Sequence, residues 1–235
     1  MRSPVFHDSG DIVSNAAEAI IAMLRQALLV RERATLMVSG GSSPKPLYET
    51  LSQAELDWSK VTISLVDERW VDPGQDGSNE DFIRQTLIQN KAKAAMFFGL
   101  KTHHETPLAG LKEAESRFAK ARRPFDICIM GMGSDAHTAS WFPSSVRLKT
   151  ALDSNNKNIL CAITAKKSPV TGEHLNRISM TLNAVLEAHA IILFIPGGKK
   201  RKVFDALTNE TVMGAPVKAL LGAGSNLHIF ASPAS

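Results

Sequence analysis

A chain of 235 residues, 44% hydrophobic and 21% charged, can bury a sizeable core, which excludes a disordered or fibrous protein. Its net charge of +4 is a small excess, with basic residues mostly interspersed among acids, so it suits an anionic small molecule and makes no demand for nucleic acid. The opening MRSPVFHDSGD has no apolar run of a secretory signal and AIILFI at 190–195 is too short to span a bilayer, so the expectation is a soluble, cytoplasmic protein without a membrane partner.

In chain order, Asn15 followed by Glu18 resembles a capping box, and AAEAIIAMLRQALL has helical apolar spacing. The run ATLMV (34–38) then reads as a buried strand ending in Ser39-Gly40-Gly41-Ser42-Ser43-Pro44, and KPLYETLSQAEL reads as a helix whose prolines mark its start. A second strand, VTISLV (61–66), ends in Asp67-Glu68-Arg69-Trp70. A loop with Pro73, Gly74 and Gly77 follows, and Ser78-Asn79 opens a helix to about Gln89.

LAGLKEAESRFAKA (108–121) is amphipathic and leads into the strand FDICIM, which ends in a glycine turn that presents Asp135 and His137. NILCAIT, RISMTL, AIILFIP and LHIFA read as further strands, with helices at about 198–208 and 216–221. This alternation predicts a single α/β domain over residues 1–235: a mostly parallel, doubly wound Rossmann-like sheet with helices on both faces. Cys128 and Cys161, the only cysteines, sit inside strand patterns and are expected to be inert core thiols.

In such sheets ligands bind beyond the carboxyl ends of the strands, and here three strands end near 39, 67 and 131 in glycines or charges. Gly40, Gly41, Ser42 and Ser43 combine backbone N–H groups with hydroxyls at a helix start, which favours an anion and phosphate above all. Three charges at 67–69 are costly to bury together, so they are expected to line a crevice or to form a surface ion-pair cluster. His137 can accept a proton from water, with Asp135 or Asp67 to orient it. Of Lys199-Lys200-Arg201-Lys202, one lysine is placed to reach a phosphate while the others are solvated.

Several chemistries are disfavoured. GMGSDA fits a dinucleotide fingerprint, but Pro143 interrupts the helix that a Rossmann turn needs. His103-His104-Glu105 lacks the second histidine of a zinc-protease helix, and there is no Gly-x-Ser-x-Gly elbow. No metal and no organic cofactor is expected.

Taken together, SGGSSPKPLYETL, DERWVDPGQDGSN, FDICIMGMGSDAHTASWFP, NRISMTL and PGGKKRKVF resemble the 6-phosphogluconolactonases of the glucosamine-6-phosphate isomerase/6-phosphogluconolactonase family along nearly the whole chain. The resemblance implies hydrolysis of 6-phospho-D-glucono-1,5-lactone to 6-phosphogluconate in the oxidative pentose phosphate pathway, without a covalent intermediate. It implies that His137 is the general base, that Asp67 and Asp135 support it, and that Arg69, Arg177 and Lys200 divide between phosphate and developing oxyanion. Gly40, Gly41, Ser42 and Ser43 would enclose the sugar phosphate. Ala136 stands where the family has glycine, so that position is expected not to need a positive φ.

The partner implied is a phosphosugar lactone, with the chain a monomer or weak homo-oligomer. Two other readings share the scaffold: a glucosamine-6-phosphate deaminase or isomerase, and a non-enzymatic sugar-phosphate sensor.

Overall fold

The computed structural model describes residues 3–8 and 10–233. In chain order the elements are β1 (Val5–His7), α1 (Ile12–Arg31), β2 (Ala34–Val38), α2 (Lys45–Ser52), β3 (Val61–Leu65), β4 (Asp67–Arg69), α3 (Asn79–Thr86), β5 (Met96–Phe97) and α4 (Pro107–Ser116). They continue with β6 (Ile127–Gly131), α5 (Leu148–Ala151), β7 (Leu160–Thr164), β8 (Asn176–Met180), α6 (Leu182–Leu186), β9 (Ala190–Ile195), α7 (Gly198–Asp205) and β10 (Leu227–Ala231). Short 3₁₀ segments join several of them, including a run over Pro216–Asn226 that is broken by a kink at Gly224.

Continuous apolar runs need cover on both faces, and β2, β3 and β9 are buried at every position. They belong to a seven-stranded sheet of order β1-β10-β9-β6-β2-β3-β5 in which every pairing is parallel. From β2 the chain winds outward through β3 to β5, then returns to β6 on the other side of β2 and winds outward again through β9 to β10. Right-handed crossovers on either side of such a reversal put helices on opposite faces. The reversal lies between β2 and β6, so a crevice opens where their carboxyl ends part, at Ser39 and Gly131.

Helix α1 is long and apolar enough to cross a membrane by length and composition alone. In the structure its Ile12, Ala16, Ala17, Ile20, Leu24 and Ala27 are buried, and it packs on β2, β6 and β10. Its N-cap is Asp11, which accepts from Val13 N at 2.9 Å and Ser14 Oγ at 2.7 Å, not Asn15 as the capping-box pattern suggests. The N–H of Asn15 already bonds to Asp11 O, so that residue lies inside the first turn.

The sequence pattern placed all the strands in one sheet, and here it needs correction. β4, β8 and β7 form a separate antiparallel sheet of three strands. VTISLV and DER are continuous in sequence, yet the chain leaves the large sheet at Val66, whose carbonyl accepts from Met180 N. β1 and β5, at three and two residues, were too short for an apolar run to reveal. Both cysteines are free and buried, and burial pushes their thiols up.

Far from the crevice, Asp126 ties β6 to β2 and α1. Its carboxylate, 3% exposed, accepts from Arg31 at 2.5 Å, Thr35 N at 2.7 Å and Thr35 Oγ1 at 3.1 Å. Asp126→Ala should therefore cost about 2–4 kcal/mol of stability, read from the urea midpoint, because it strands a guanidinium and a buried N–H. An unchanged midpoint would show that water replaces the carboxylate at little cost.

Candidate active site

The cavity at the sheet reversal, about 210 Å³, draws its walls from the ends of β2, β4, β6 and β8 and from the start of α7. Ser39, Gly40, Gly41 and Ser43 form one side, Met132, Gly133 and His137 another, and Asp67, Arg69, Arg177 and Lys200 face the same space. Two predicted residues do not line it: Ser42 lines a neighbouring groove with Gly74 and Gln75, and Asp135 reaches the cavity only through His137. Ser42 is exposed.

His137 is carried by the loop after β6, not by a helix, and this removes the dinucleotide reading of GMGSDA structurally as well. Gly133 N–H donates to His137 O at 3.0 Å and Ala136 N–H to Gly133 O at 3.1 Å, which folds the segment into a tight turn. Asp135 Oδ1 lies 2.5 Å from His137 Nδ1 and also accepts from His137 N at 3.2 Å. With Nδ1 occupied, Nε2 is the ring nitrogen left for the cavity. Burial works to raise the Asp135 carboxyl, but the hydrogen bonds and charge of His137 outweigh it, so the group sits below the ordinary carboxylate range.

The turn holds Ala136 at φ 61°, which corrects the expectation from its methyl group. A left-handed alanine costs roughly 1 kcal/mol. Its carbonyl accepts from Val217 N at 3.1 Å and its side chain is buried, so packing offsets the strain. Ala139, Ser144 and Arg147 are also left-handed, which concentrates backbone strain on the loop that carries His137.

The small sheet explains the charged triplet. Along a strand, side chains alternate between faces, and in this register Asp67 pairs with Ser179 and Arg69 with Arg177. Asp67 and Arg69 thus face the cavity, while Glu68 turns away. Glu68 neither lines the crevice nor joins a surface ion pair: it is 1% exposed and its carboxylate accepts from Arg69 N, Asn79 N and Glu80 N at 2.7–2.8 Å. Two of those donors open α3, whose positive end suits an acid. Burial nonetheless pushes the carboxyl up to about 8.

Asp67 does not touch His137. Its carboxylate accepts from Ser140 Oγ at 2.6 Å, and Ser140 N donates in turn to Ser179 Oγ at 3.3 Å, docking the loop after His137 onto β4 and β8. Asn79, whose sequence position marks it only as a helix opener, donates from Nδ2 to Asp67 O at 2.9 Å. Its Oδ1 sits so close to Gly40 that a Cβ there would lie 2.0 Å away, so a glycine is required for the β2 turn to approach α3. The signal for Asn79, Ser140 and Glu68 was present in the motifs, but Ser140 finds Asp67 only through the tertiary fold, and Glu68 and Asn79 find their partners across the loop that joins β4 to α3.

Three cations converge on the cavity. Arg69 donates to Gly77 O, and Arg177 donates to His174 O at 2.5 Å and Thr171 O at 2.9 Å while lying over Phe142. Burial, then the neighbouring Arg69, brings the Arg177 guanidinium down to about 10, so it stays charged near neutrality. Lys200 Nζ donates to Ser43 Oγ at 2.9 Å, and burial lowers its ammonium below the ordinary lysine value. Among the described residues none of the three has a carboxylate within 4.0 Å. The rest of the basic run is accounted for elsewhere: Lys199 and Lys202 are exposed and Arg201 pairs with Asp205.

The arrangement supplies a base backed by a carboxylate, opposite unpaired cations around a space sized for a small anionic molecule. Residues 7–229 match the family model described as glucosamine-6-phosphate isomerases/6-phosphogluconolactonase. The chain is 36% identical over 233 residues to a 6-phosphogluconolactonase of Rhizobium meliloti (strain 1021), with 97% of each covered. It is 35% identical over 227 residues to a 6-phosphogluconolactonase of Neisseria meningitidis serogroup B, with 96% of each covered. The crystal structure of a 6-phosphogluconolactonase from Shewanella baltica OS155 has a TM-score of 0.88 and 35% identity, over 100% of this chain and 98% of that one. A monomeric glucosamine-6-phosphate deaminase, with a TM-score of 0.77 and 16% identity over 99% of this chain and 97% of its own, shares the fold. By matched length and by identity to these relatives, the chain belongs to the glucosamine-6-phosphate isomerase/6-phosphogluconolactonase family.

Proposed function

We propose that this protein hydrolyses 6-phospho-D-glucono-1,5-lactone to 6-phosphogluconate, by general-base activation of water and without a covalent intermediate. The observation that carries this reading is the His137–Asp135 pair at 2.5 Å, facing a cavity with three cations that lack carboxylate partners. A lactone is an activated ester, so a positioned water, a base and charge stabilisation are enough. His137 Nε2 takes the proton from water as it attacks the lactone carbonyl. When the tetrahedral adduct collapses with cleavage of the bond from C1 to the ring oxygen, the imidazolium returns that proton to the departing oxygen. Asp135, on Nδ1, holds the tautomer and stabilises the imidazolium that forms. Asp67 keeps the loop and β4 in register through Ser140, and its charge balances Arg69 and Arg177 across the small sheet.

Arg69, Arg177 and Lys200 share the phosphate and the developing oxyanion, with Ser43 and the Gly40-Gly41 turn closing on the sugar phosphate. Gly41 is suited to this, since its φ of 89° leaves nothing within 4 Å of where a Cβ would stand. Names of the relatives support the lactonase over the deaminase, which at 16% identity shares architecture alone.

The direct test is turnover of freshly generated 6-phosphogluconolactone beside glucosamine 6-phosphate. Lactone hydrolysis is the expected result, and activity on the amine alone would overturn the assignment. A second expectation concerns product binding: Arg69→Ala and Lys200→Ala should each weaken 6-phosphogluconate by roughly 10–150-fold, since a charge-assisted contact is worth about 1.5–3 kcal/mol. Because burial lowers Lys200, affinity should fall on the alkaline side before pH 10.5, as the ammonium loses its proton. Lys200→Arg should shrink that alkaline loss to the part that Arg177 contributes near pH 10. If neither alanine variant changes product affinity, the cations do not hold the anion.

A further inference from the structure

Outside the cavity, a second cluster of ligand-type side chains lies where the turn after Leu100 packs on α4. His103 Nδ1 is 3.2 Å and His104 Nδ1 3.6 Å from Glu113 Oε2, and the donor atoms of all three lie within 4.8 Å of one another. Ligands about 2.0–2.1 Å from a tetrahedral zinc ion stand roughly 3.3–3.5 Å apart, so two edges of this triangle, at 3.2 and 3.6 Å, come within about 0.1 Å of that spacing. We propose that His103, His104 and Glu113 form a surface binding site for a zinc-class divalent ion, which staples this turn to α4.

The surroundings orient the ligands as such a site requires. Arg117 takes Glu113 Oε1 at 3.0 Å and is itself anchored to Gly99 O at 2.9 Å and Lys101 O at 2.8 Å, which turns Oε2 toward the histidines. Trp70 Nε1 donates to His104 O at 2.9 Å and fixes that backbone. Besides Arg117, which holds the other oxygen of Glu113, the cation Lys101 is directed elsewhere, to Asp72 at 2.8 Å and over the Trp70 ring. Thr102 Oγ1 lies 3.0 Å from His104 Nδ1 and is the contact a metal would displace.

Two imidazoles with one carboxylate select zinc and its borderline neighbours over magnesium or calcium, which take all-oxygen shells. His103 is 79% exposed at the side chain, so an ion has an open approach and water can complete the shell. The disfavoured zinc-protease pattern is beside the point here, since Glu113 comes from α4 and not from the His-His-Glu run. The residues of this cluster line no part of the His137 cavity, so the ion would be structural.

The test is calorimetric titration of zinc chloride into the chelator-stripped full chain, with the melting temperature followed in parallel. Expected are one equivalent bound through this cluster, a rise in melting temperature, and affinity reduced by about 10–100-fold or more in His103→Ala and in Glu113→Gln. His103→Ala decides the matter if Glu113→Gln loosens the turn, because so exposed a side chain is not needed for folding. Binding should persist in His137→Ala and be far weaker for magnesium. No zinc binding, binding unchanged in His103→Ala, or loss with His137→Ala instead would each overturn the proposal.

Discussion

Replacing His137 with alanine is expected to lower lactone turnover by roughly 10²–10⁴-fold, the range for loss of a positioned general base. The side chain stands at the cavity wall with Asp135 as its hydrogen-bond partner, so the substitution removes chemistry more than packing. Folding should therefore be retained, with circular dichroism and melting temperature close to those of the parent chain. Product affinity should also change little, because the cations remain. The loss then falls on kcat with KM nearly constant, the pattern of an interaction made in the transition state. Near-normal turnover in a folded His137→Ala protein would remove His137 from the mechanism.

Gly133→Ala should give a comparable defect by a different route. A Cβ at that position would stand 2.1 Å from His137 Cε1, 2.2 Å from Nδ1 and 2.7 Å from Asp135 Oδ1. The backbone of Gly133 is not left-handed, so alanine brings no intrinsic strain there. What must move is the imidazole at the cavity wall and the carboxylate partner behind it. Displacing a base by about 1 Å can cost on the order of 10²-fold in rate, while the fold accommodates the shift cheaply. Measured together, a large fall in kcat with a melting temperature within a few degrees of the parent is expected. A fully active Gly133→Ala enzyme would show that His137 does not work from the position seen here.

The long strands were legible because a parallel sheet covered on both faces demands continuous apolar runs, and ATLMV, VTISL, FDICIM and AIILFI can satisfy nothing else at their length. The convergence of strand ends at 39, 67 and 131 was legible for the same reason, since parallel strands end at one edge. Less visible was the small antiparallel sheet. β7 and β8 carry apolar runs like the others and β4 is the charged Asp67-Glu68-Arg69, so only the hydrogen bonds of β4 to β8 and β8 to β7 reveal that these three leave the main sheet. The helix cap at Asp11 escaped because Asn15 offered an equally good local pattern, and tertiary packing chose where the helix begins.

The sequence by itself determined the kind of residues this protein gathers around its cavity: His137 with Asp135 two positions before it, the Gly40-Gly41 turn, and cations at 69, 177 and 200. Local chemistry suffices there, because a histidine and an aspartate joined by a turn are neighbours in any fold. Tertiary structure alone decided which charges face the cavity. The alternation of β4 turns Asp67 and Arg69 inward and sends Glu68 under α3, while the register of β4 against β8 sets Arg177 beside Arg69. It also decided that Lys200, and neither Lys199 nor Lys202, reaches Ser43. These outcomes depend on pairings between segments more than a hundred residues apart, and no local pattern encodes the face on which such a pairing leaves a side chain.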